Sequence, residues 1–318
     1  MPRFAPSINQ LVGVYPQARP PPIERDRNGS MHHRPACIRW DDLKPVPTRT
    51  RRIRHTQPRN LEAMSHRTAL STAALLVLLA AAPAQAEPDL DLFDRLLETH
   101  TREVTDVVGT RVDYEAIARS AEWKELSRQF RAEQPSRFDR ERQLAFWINA
   151  YNVFTIDLIV EHYPVESIRD IGSFLFPVWN EGVATIEGRE VSLGDIEHEI
   201  LRKMDEPRIH AAIVCASTSC PPLMRTAFRA DRLDEQLDAA MRRWLASPEK
   251  GVSIDRRAKT VVVSAIFDWF EEDFEAGGGV LATIARHVPE PDGAWLRGPG
   301  RNARVGHFDY DWTLNDAR

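Results

Sequence analysis

Cysteine is scarce in this chain, with three in 318 residues, at positions 37, 215 and 220. So few cannot build the dense crosslinked framework on which small secreted domains rest. No pair stands at C-x2-C or H-x3-H spacing, so the close ligand spacing of a structural zinc site is missing as well. A metal site would have to combine His198, His210 and the cysteines. No metal or other cofactor is expected. Internal repeats and low-complexity linkers are absent after Pro88. Basic charge is short where a polyanion would need it: residues 87–318 hold 29 Lys and Arg against 42 Asp and Glu, a net charge of −13. Such a surface repels nucleic acid and anionic lipid, which leaves an unknown small molecule or an envelope component as partner.

The N-terminal part differs in composition. Residues 1–63 carry ten of the 22 prolines and twelve basic against five acidic residues, with little apolar periodicity. They cannot bury enough apolar surface to offset ordering entropy and are expected to be disordered. From Met64, a short basic start is followed by an apolar run, Ala69 to Ala82, and then by the small residues Ala84-Gln85-Ala86. That is the layout of a secretory signal peptide, Met64–Ala86. The apolar run falls short of the roughly 20 residues that span a bilayer, which favours cleavage over a retained anchor. The simplest account starts translation at Met64, treats 1–63 as a misassigned extension and places a single domain, 87–318, in the periplasm or outside the cell, with no stable membrane span.

Along that domain the apolar spacing predicts an amphipathic helix from Leu90 to Val108 ended by Gly109, then short helices at Tyr114–Arg119 and Glu122–Arg131. LAFWINAYNVFTIDLIVEHY, apolar nearly all round, reads as a central helix buried on most faces and stopped at Tyr163-Pro164. ATIEGREVS reads as a hairpin turning at Glu187-Gly188, and Ser192 to Asp195 as a capped helix start. Ile209–Ala216 is expected to be an apolar strand. Asp231 is expected to cap a helix carrying Leu233, Leu237 and Met241. Thr260–Val263 reads as a strand leading into a helix from Ser264 to Phe274, whose carboxylates, Asp273 among them, form a solvated face. HFDYDWTL alternates as a half-buried strand. Helices outnumber strands without alternating with them, so the class is α+β, a mostly helical single domain around a small mixed or antiparallel sheet.

Site candidates gather in HAAIVCASTSCPPL, His210–Leu223. On one extended strand His210 and Cys215 would point to opposite faces, leaving Cys215 a buried, inert thiol. Cys220 follows three turn-formers and precedes Pro221-Pro222, which fix the backbone and place a thiol at a rigid strand end. The competing reading is a Cys215–Cys220 disulfide closing a tight loop. His210 is either a general base or a core histidine bonded to backbone. Asn149 and Asn152 share a helix face and either brace a neighbouring loop or face a ligand.

Five stretches, QLAFWINAYN (143–152), SLGDIEHEILR (192–202), PRIHAAIVCASTSCPPL (207–223), SAIFDWFEEDF (264–274) and YDWTLN (310–315), resemble the domain-of-unknown-function family 547 in order and spacing. The likeness runs from about Val112 to Asn315 and includes Asn149, Asn152, His210, Cys215, Ser217, Cys220 and Pro221. It implies kinship with a widespread set of exported bacterial proteins that have relatives in plants and animals. It brings no established activity and no catalytic residues. The residues themselves suggest a thiol-dependent hydrolase or acyl transferase, with Cys220 as nucleophile, His210 as base, Asp311 or Asp309 as orienting acid and Asn149 as oxyanion donor. The alternative is a non-catalytic binding module stapled by Cys215–Cys220.

Overall fold

Caps written into the sequence start the first four helices of the computed structural model, which describes residues 87–173 and 177–318. Readings made of residues 1–86, the signal peptide included, lie outside the described residues. Asp89 accepts from the Leu92 N–H at 2.8 Å and opens α1 (Leu90–His100). The helix stops there, eight residues short of expectation. Thr101 turns extended, its hydroxyl satisfies the Leu97 carbonyl, and the chain continues as a hairpin of β1 (Thr101–Glu103) and β2 (Thr110–Val112). Gly109 sits in that hairpin at φ +73°, where an added Cβ would stand 2.9 Å from Pro222. The loop carrying the cysteines therefore packs directly on this turn. Asp113, Ser120 and Asp139 cap α2 (Tyr114–Arg119), α3 (Ala121–Ala132) and α4 (Arg140–His162). Helix α4 is the one described helix long and apolar enough to cross a membrane, yet it is buried from Leu144 to Ile159 inside the domain, as expected of a central helix.

The hairpin β3 (Gly182–Ile186) and β4 (Arg189–Ser192) forms as predicted, with Glu187 and Gly188 both at positive φ in the turn. Ser192 and Asp195 make the reciprocal cap bonds, but the helix they start is a π-helix, Asp195–Leu201. Helix α5 (Leu233–Leu245) buries the expected stripe. Asp231 does not cap it; it lies in the preceding turn Ala230–Arg232, and the chain ahead is held by Gln236, which accepts from the Arg229 N–H. After β5 (Val252–Asp255) and β6 (Thr260–Val263) the predicted single helix divides at Phe270 into α6 (Ile266–Trp269) and α7 (Glu271–Glu275). Helices α8 (Val280–His287) and α9 (Asp292–Arg297) lead to β7 (Arg304–His307). In place of one small sheet there are three: β1–β2 and β3–β4 antiparallel, and a mixed sheet in which β6 lies between antiparallel β5 and parallel β7. The α+β class stands.

Two predicted strands are not strands. Pro207–Ala211 forms a tight 3-10 turn, and the extended backbone beyond it joins no sheet. The reason lies on α4: Asn152 donates to the Ala212 carbonyl and accepts from the Val214 N–H, both at 2.9 Å, so its amide does the work of a strand partner. At the C-terminus, Tyr310, Trp312 and Leu314 turn inward while Asp309, Asp311 and Thr313 are exposed, as the alternation predicts. Yet the segment pairs with the cysteine loop instead of a sheet, through Thr218 N–H to Thr313, Ser219 N–H to Asp311 and Asn315 N–H to Ala216.

Asn152→Ala would strand a buried carbonyl and a buried N–H together. At roughly 1–3 kcal/mol for each orphaned group, urea unfolding is expected to show a loss of about 2–5 kcal/mol. A loss well under 1 kcal/mol would mean that the clamp is dispensable.

Candidate functional site

Tyr151 of α4, Glu197 of the π-helix, His210, Cys215 and Cys220 of the loop, and Tyr310 of the C-terminal segment line one small pocket, with Ile213, Ile266, Trp269 and Phe270 as its apolar walls. It has about 20 Å³ of room at the scale of a water molecule, enough for a single water. Because the chain from His210 to Cys215 is a turn followed by an irregular extended run, these two residues do not face apart as strand geometry predicts. They meet in the same pocket.

The two sulfurs are free and buried; no disulfide joins Cys215 to Cys220. Their proton affinities diverge because one donates and the other receives. The Cys215 N–H donates to Cys220 Sγ at 3.0 Å and the Tyr310 hydroxyl donates to it at 3.2 Å. Burial pushes the Cys220 thiol up, but the bonds from the Cys215 thiol, Tyr310, Ser217 and the Cys215 N–H outweigh it and bring it down to about 6. Burial pushes Cys215 well above its ordinary value, and its bond to the Cys220 sulfur adds to the rise. Tyr310 is itself raised by burial and by the two sulfurs, so it stays protonated and able to donate. Beneath the loop, Lys250 is buried and directs its ammonium to the carbonyls of Val108 (2.9 Å), Thr218 (3.0 Å) and Cys220 (2.5 Å). All three of its protons are used, and burial pulls it down to about 8 against the pull of Cys220.

His210 Nε2 lies 2.7 Å from Asp273 Oδ2, and its ring stacks on Phe270 with centroids 4.3 Å apart. Arg202 grips the same carboxylate through Nε at 2.7 Å and Nη2 at 2.8 Å. Burial opposes the charge on Asp273, but the bonds from His210 and Arg202 prevail and hold its carboxyl well below the usual range. Burial pulls His210 down by more than Asp273 lifts it. A neutral ring beside an ionised carboxylate puts its proton on Nε2 and leaves Nδ1 as the acceptor. Glu197 is the opposite case. Burial raises it to about 8, against the hydrogen bond from Tyr151 at 3.3 Å, so a protonated carboxyl faces the pocket at neutral pH.

Several expected roles move to other residues. Asn149 is outside the pocket: its amide donates to the Phe228 carbonyl at 2.7 Å and accepts from the Phe228 N–H at 2.9 Å, bracing a loop beside a separate apolar hollow. With both ends of the amide spent, it is no oxyanion donor. Asp311 and Asp309 are exposed, and the Asp311 carboxylate accepts from the Thr313 N–H. The carboxylate that orients His210 is Asp273, which the charge pattern assigns to a solvated face. Glu197, Asp273, Tyr310 and Lys250 escape the sequence reading. Only Glu197 leaves a trace, since Leu193, Glu197 and Leu201 recur every four residues and put an acid on an apolar face.

The sign of the Glu197 shift sets a pH dependence. Its folded pKa lies above its unfolded value, so between about 4.5 and 8 the native state holds a proton that the unfolded chain has lost. The stability it contributes is full below that window and is lost as pH rises through it. Relative to Glu197→Gln, the parent protein is expected to lose thermal stability from pH 5 to pH 8, read by melting both across that range; parallel curves would contradict the burial of a protonated acid. Among known proteins, no curated protein and no solved structure matches the chain. The model of a family described as a protein of unknown function, DUF547, matches residues 135–245. That span takes in Glu197, His210 and both pocket cysteines and stops short of Lys250, Asp273 and Tyr310. Over that span, about a third of the chain, the protein is similar to the DUF547 family.

Proposed function

We propose that this domain is an exported thiol-dependent hydrolase or acyl transferase acting on a small carbonyl compound. The observation that carries the reading is Cys220 Sγ, held by two donors at 3.0 and 3.2 Å in the same pocket as a carboxylate-oriented histidine and a protonated glutamic acid. The Cys220 thiolate attacks an ester, thioester or amide carbon. The oxygen that takes up charge meets the Tyr310 hydroxyl, released from the sulfur as the S–C bond forms. Glu197 gives its proton to the leaving group. His210 Nδ1 then takes the proton of the entering water or acceptor, which attacks the thioester and frees Cys220, while Asp273 and Arg202 hold the imidazole in the required tautomer. Cys220 enters and leaves as the thiolate, so no proton passes between it and His210; the proton that His210 takes up returns through solvent to Glu197 and restores both groups.

Two free thiols favour this reading over a binding module stapled by Cys215–Cys220. Non-reducing mass spectrometry of the native protein separates the two, because a staple resists mild reductant. The same spectrum reads the N-terminus and so tests cleavage after Ala86. Iodoacetamide at pH 6 to 7 should label Cys220 about tenfold faster than Cys215, with the rate rising through pH 6. p-Nitrophenyl acetate should leave an acetyl group on Cys220, absent in Cys220→Ser and longer-lived in His210→Gln. Equal, slow labelling of both thiols would end the nucleophile reading.

A further inference from the structure

We infer that the same pocket reduces small hydroperoxides, with Cys220 as the sulfur that attacks the peroxide and Cys215 as its resolving thiol. The inference shares with the reading above the reactive Cys220 and needs none of its acyl chemistry. Acyl transfer uses Cys215 only as a hydrogen-bond donor, a task that needs no thiol, yet a thiol is held against the first sulfur. Its N–H lies 3.0 Å from Cys220 Sγ, and its own Sγ lies 3.3 Å from the Tyr310 hydroxyl, which also donates to Cys220 at 3.2 Å. Ser217 Oγ, 3.3 Å from Cys215 Sγ and 3.0 Å from the Tyr310 oxygen, closes the cluster. The turn between the cysteines is reversed by Ala216 at φ +62° and closed by the Cys220 N–H on the Ser217 carbonyl, which folds the two side chains onto one another. The space in front of them, about 20 Å³, admits a group of the size of water, such as the terminal oxygen of a hydroperoxide.

The chemistry balances with the groups present and a hydroperoxide as oxidant. The Cys220 thiolate attacks the terminal oxygen of R–O–OH, forming an S–O bond as the O–O bond breaks. The sulfur is oxidised by two electrons to a sulfenic acid, and the departing alkoxide takes the proton of Glu197 and leaves as the alcohol. The Cys215 sulfur then attacks Cys220, the S–S bond forms, and the hydroxide lost from the sulfenic acid combines with the proton shed by Cys215 as water. One hydroperoxide and two thiols become one alcohol, one water and one disulfide. An external dithiol restores the pair.

The test uses the full chain in a Cys37→Ser background, reduced and then freed of reductant. One equivalent of hydrogen peroxide should remove both remaining thiols and produce a single disulfide-linked Cys215–Cys220 peptide. Cys215→Ser should stop at a sulfenic acid that a 1,3-dione captures on residue 220. Cys220→Ser should slow peroxide consumption by about tenfold or more, and cumene hydroperoxide should react about tenfold more slowly than hydrogen peroxide. Peroxide consumption no faster than that of a free aliphatic thiol at the same pH, or a sulfenic acid that persists with Cys215 intact, would overturn the inference. Acetylation of the parent protein by p-nitrophenyl acetate separates the two readings. If Cys220 is acetylated while peroxide forms no disulfide, only the peroxide inference fails; if the disulfide forms but the acetyl-enzyme never does, only the acyl reading fails.

Discussion

The amide of Asn152 is the contact on which the site depends. It projects from a helix buried on nearly every face and supplies, at 2.9 Å each, the two backbone bonds that a neighbouring strand would otherwise give to Ala212 and Val214. A strand would have paired in a sheet and alternated its side chains, sending His210 and Cys215 to opposite faces. With the amide as partner the segment is released from that alternation. It can make a 3-10 turn at His210, run extended for a few residues and reverse at Ala216. The C-terminal segment repeats the device from the other side, since its carbonyls at Asp311 and Thr313 take up the N–H groups of Ser219 and Thr218. The loop is bonded from both sides without belonging to any sheet, which lets an irregular backbone hold two thiols in fixed positions inside the core.

Burial then sets the charge of each group, and the outcomes differ because the available partners differ. Glu197 has one hydrogen bond, from Tyr151, which is too little to keep a carboxylate ionised in an apolar wall. Asp273 is half-buried but faces a guanidinium and an imidazole, and it stays charged. Lys250 is buried with carbonyl oxygens alone, which satisfy its protons and leave its charge without a carboxylate at hydrogen-bonding distance. Its field acts on the loop it holds, and the anion that field favours is the Cys220 thiolate. A protonated acid, an ionised acid and a lysine drawn down by burial within one small region are what separate proton-transfer roles require.

How much of this could be read from the sequence depends on the range of the interaction. Helix α4, the Glu187-Gly188 hairpin and the cap at Ser192 rest on neighbours within four residues, and their residue types declare them. Cys220 was legible for the same reason, because Pro221-Pro222 and Ser217–Ser219 announce a rigid turn. The π-helix and the break at Phe270 carry no such local mark; both are settled by what packs against them. The partners of the thiol and the imidazole were hidden by distance along the chain: Tyr310 is 90 residues from Cys220 and Asp273 is 63 from His210. Five acids around a phenylalanine stripe look like a solvated face in any sequence. Only the division into α6 and α7, which brings Asp273 to the edge of the pocket beside Arg202, separates it from its neighbours. The aspartates on the closing segment misled for the complementary reason. Their alternation is plain in the sequence, and it puts them outside.

Two chemically identical residues five apart thus acquire opposite characters from their surroundings. Cys215 offers its N–H to Cys220, and nothing offers Cys215 a main-chain donor in return. The positive φ at Ala216 separates the two, since it turns the chain so that the later sulfur falls beneath the earlier amide. One sulfur becomes the site where negative charge rests and the other becomes the donor that steadies it, so a single proton is held between them on the Cys215 side. Either cysteine replaced by serine would alter both, because the proton is shared by the pair. Reactivity at Cys220 is therefore a property of the loop's geometry, set before His210 or any ligand takes part.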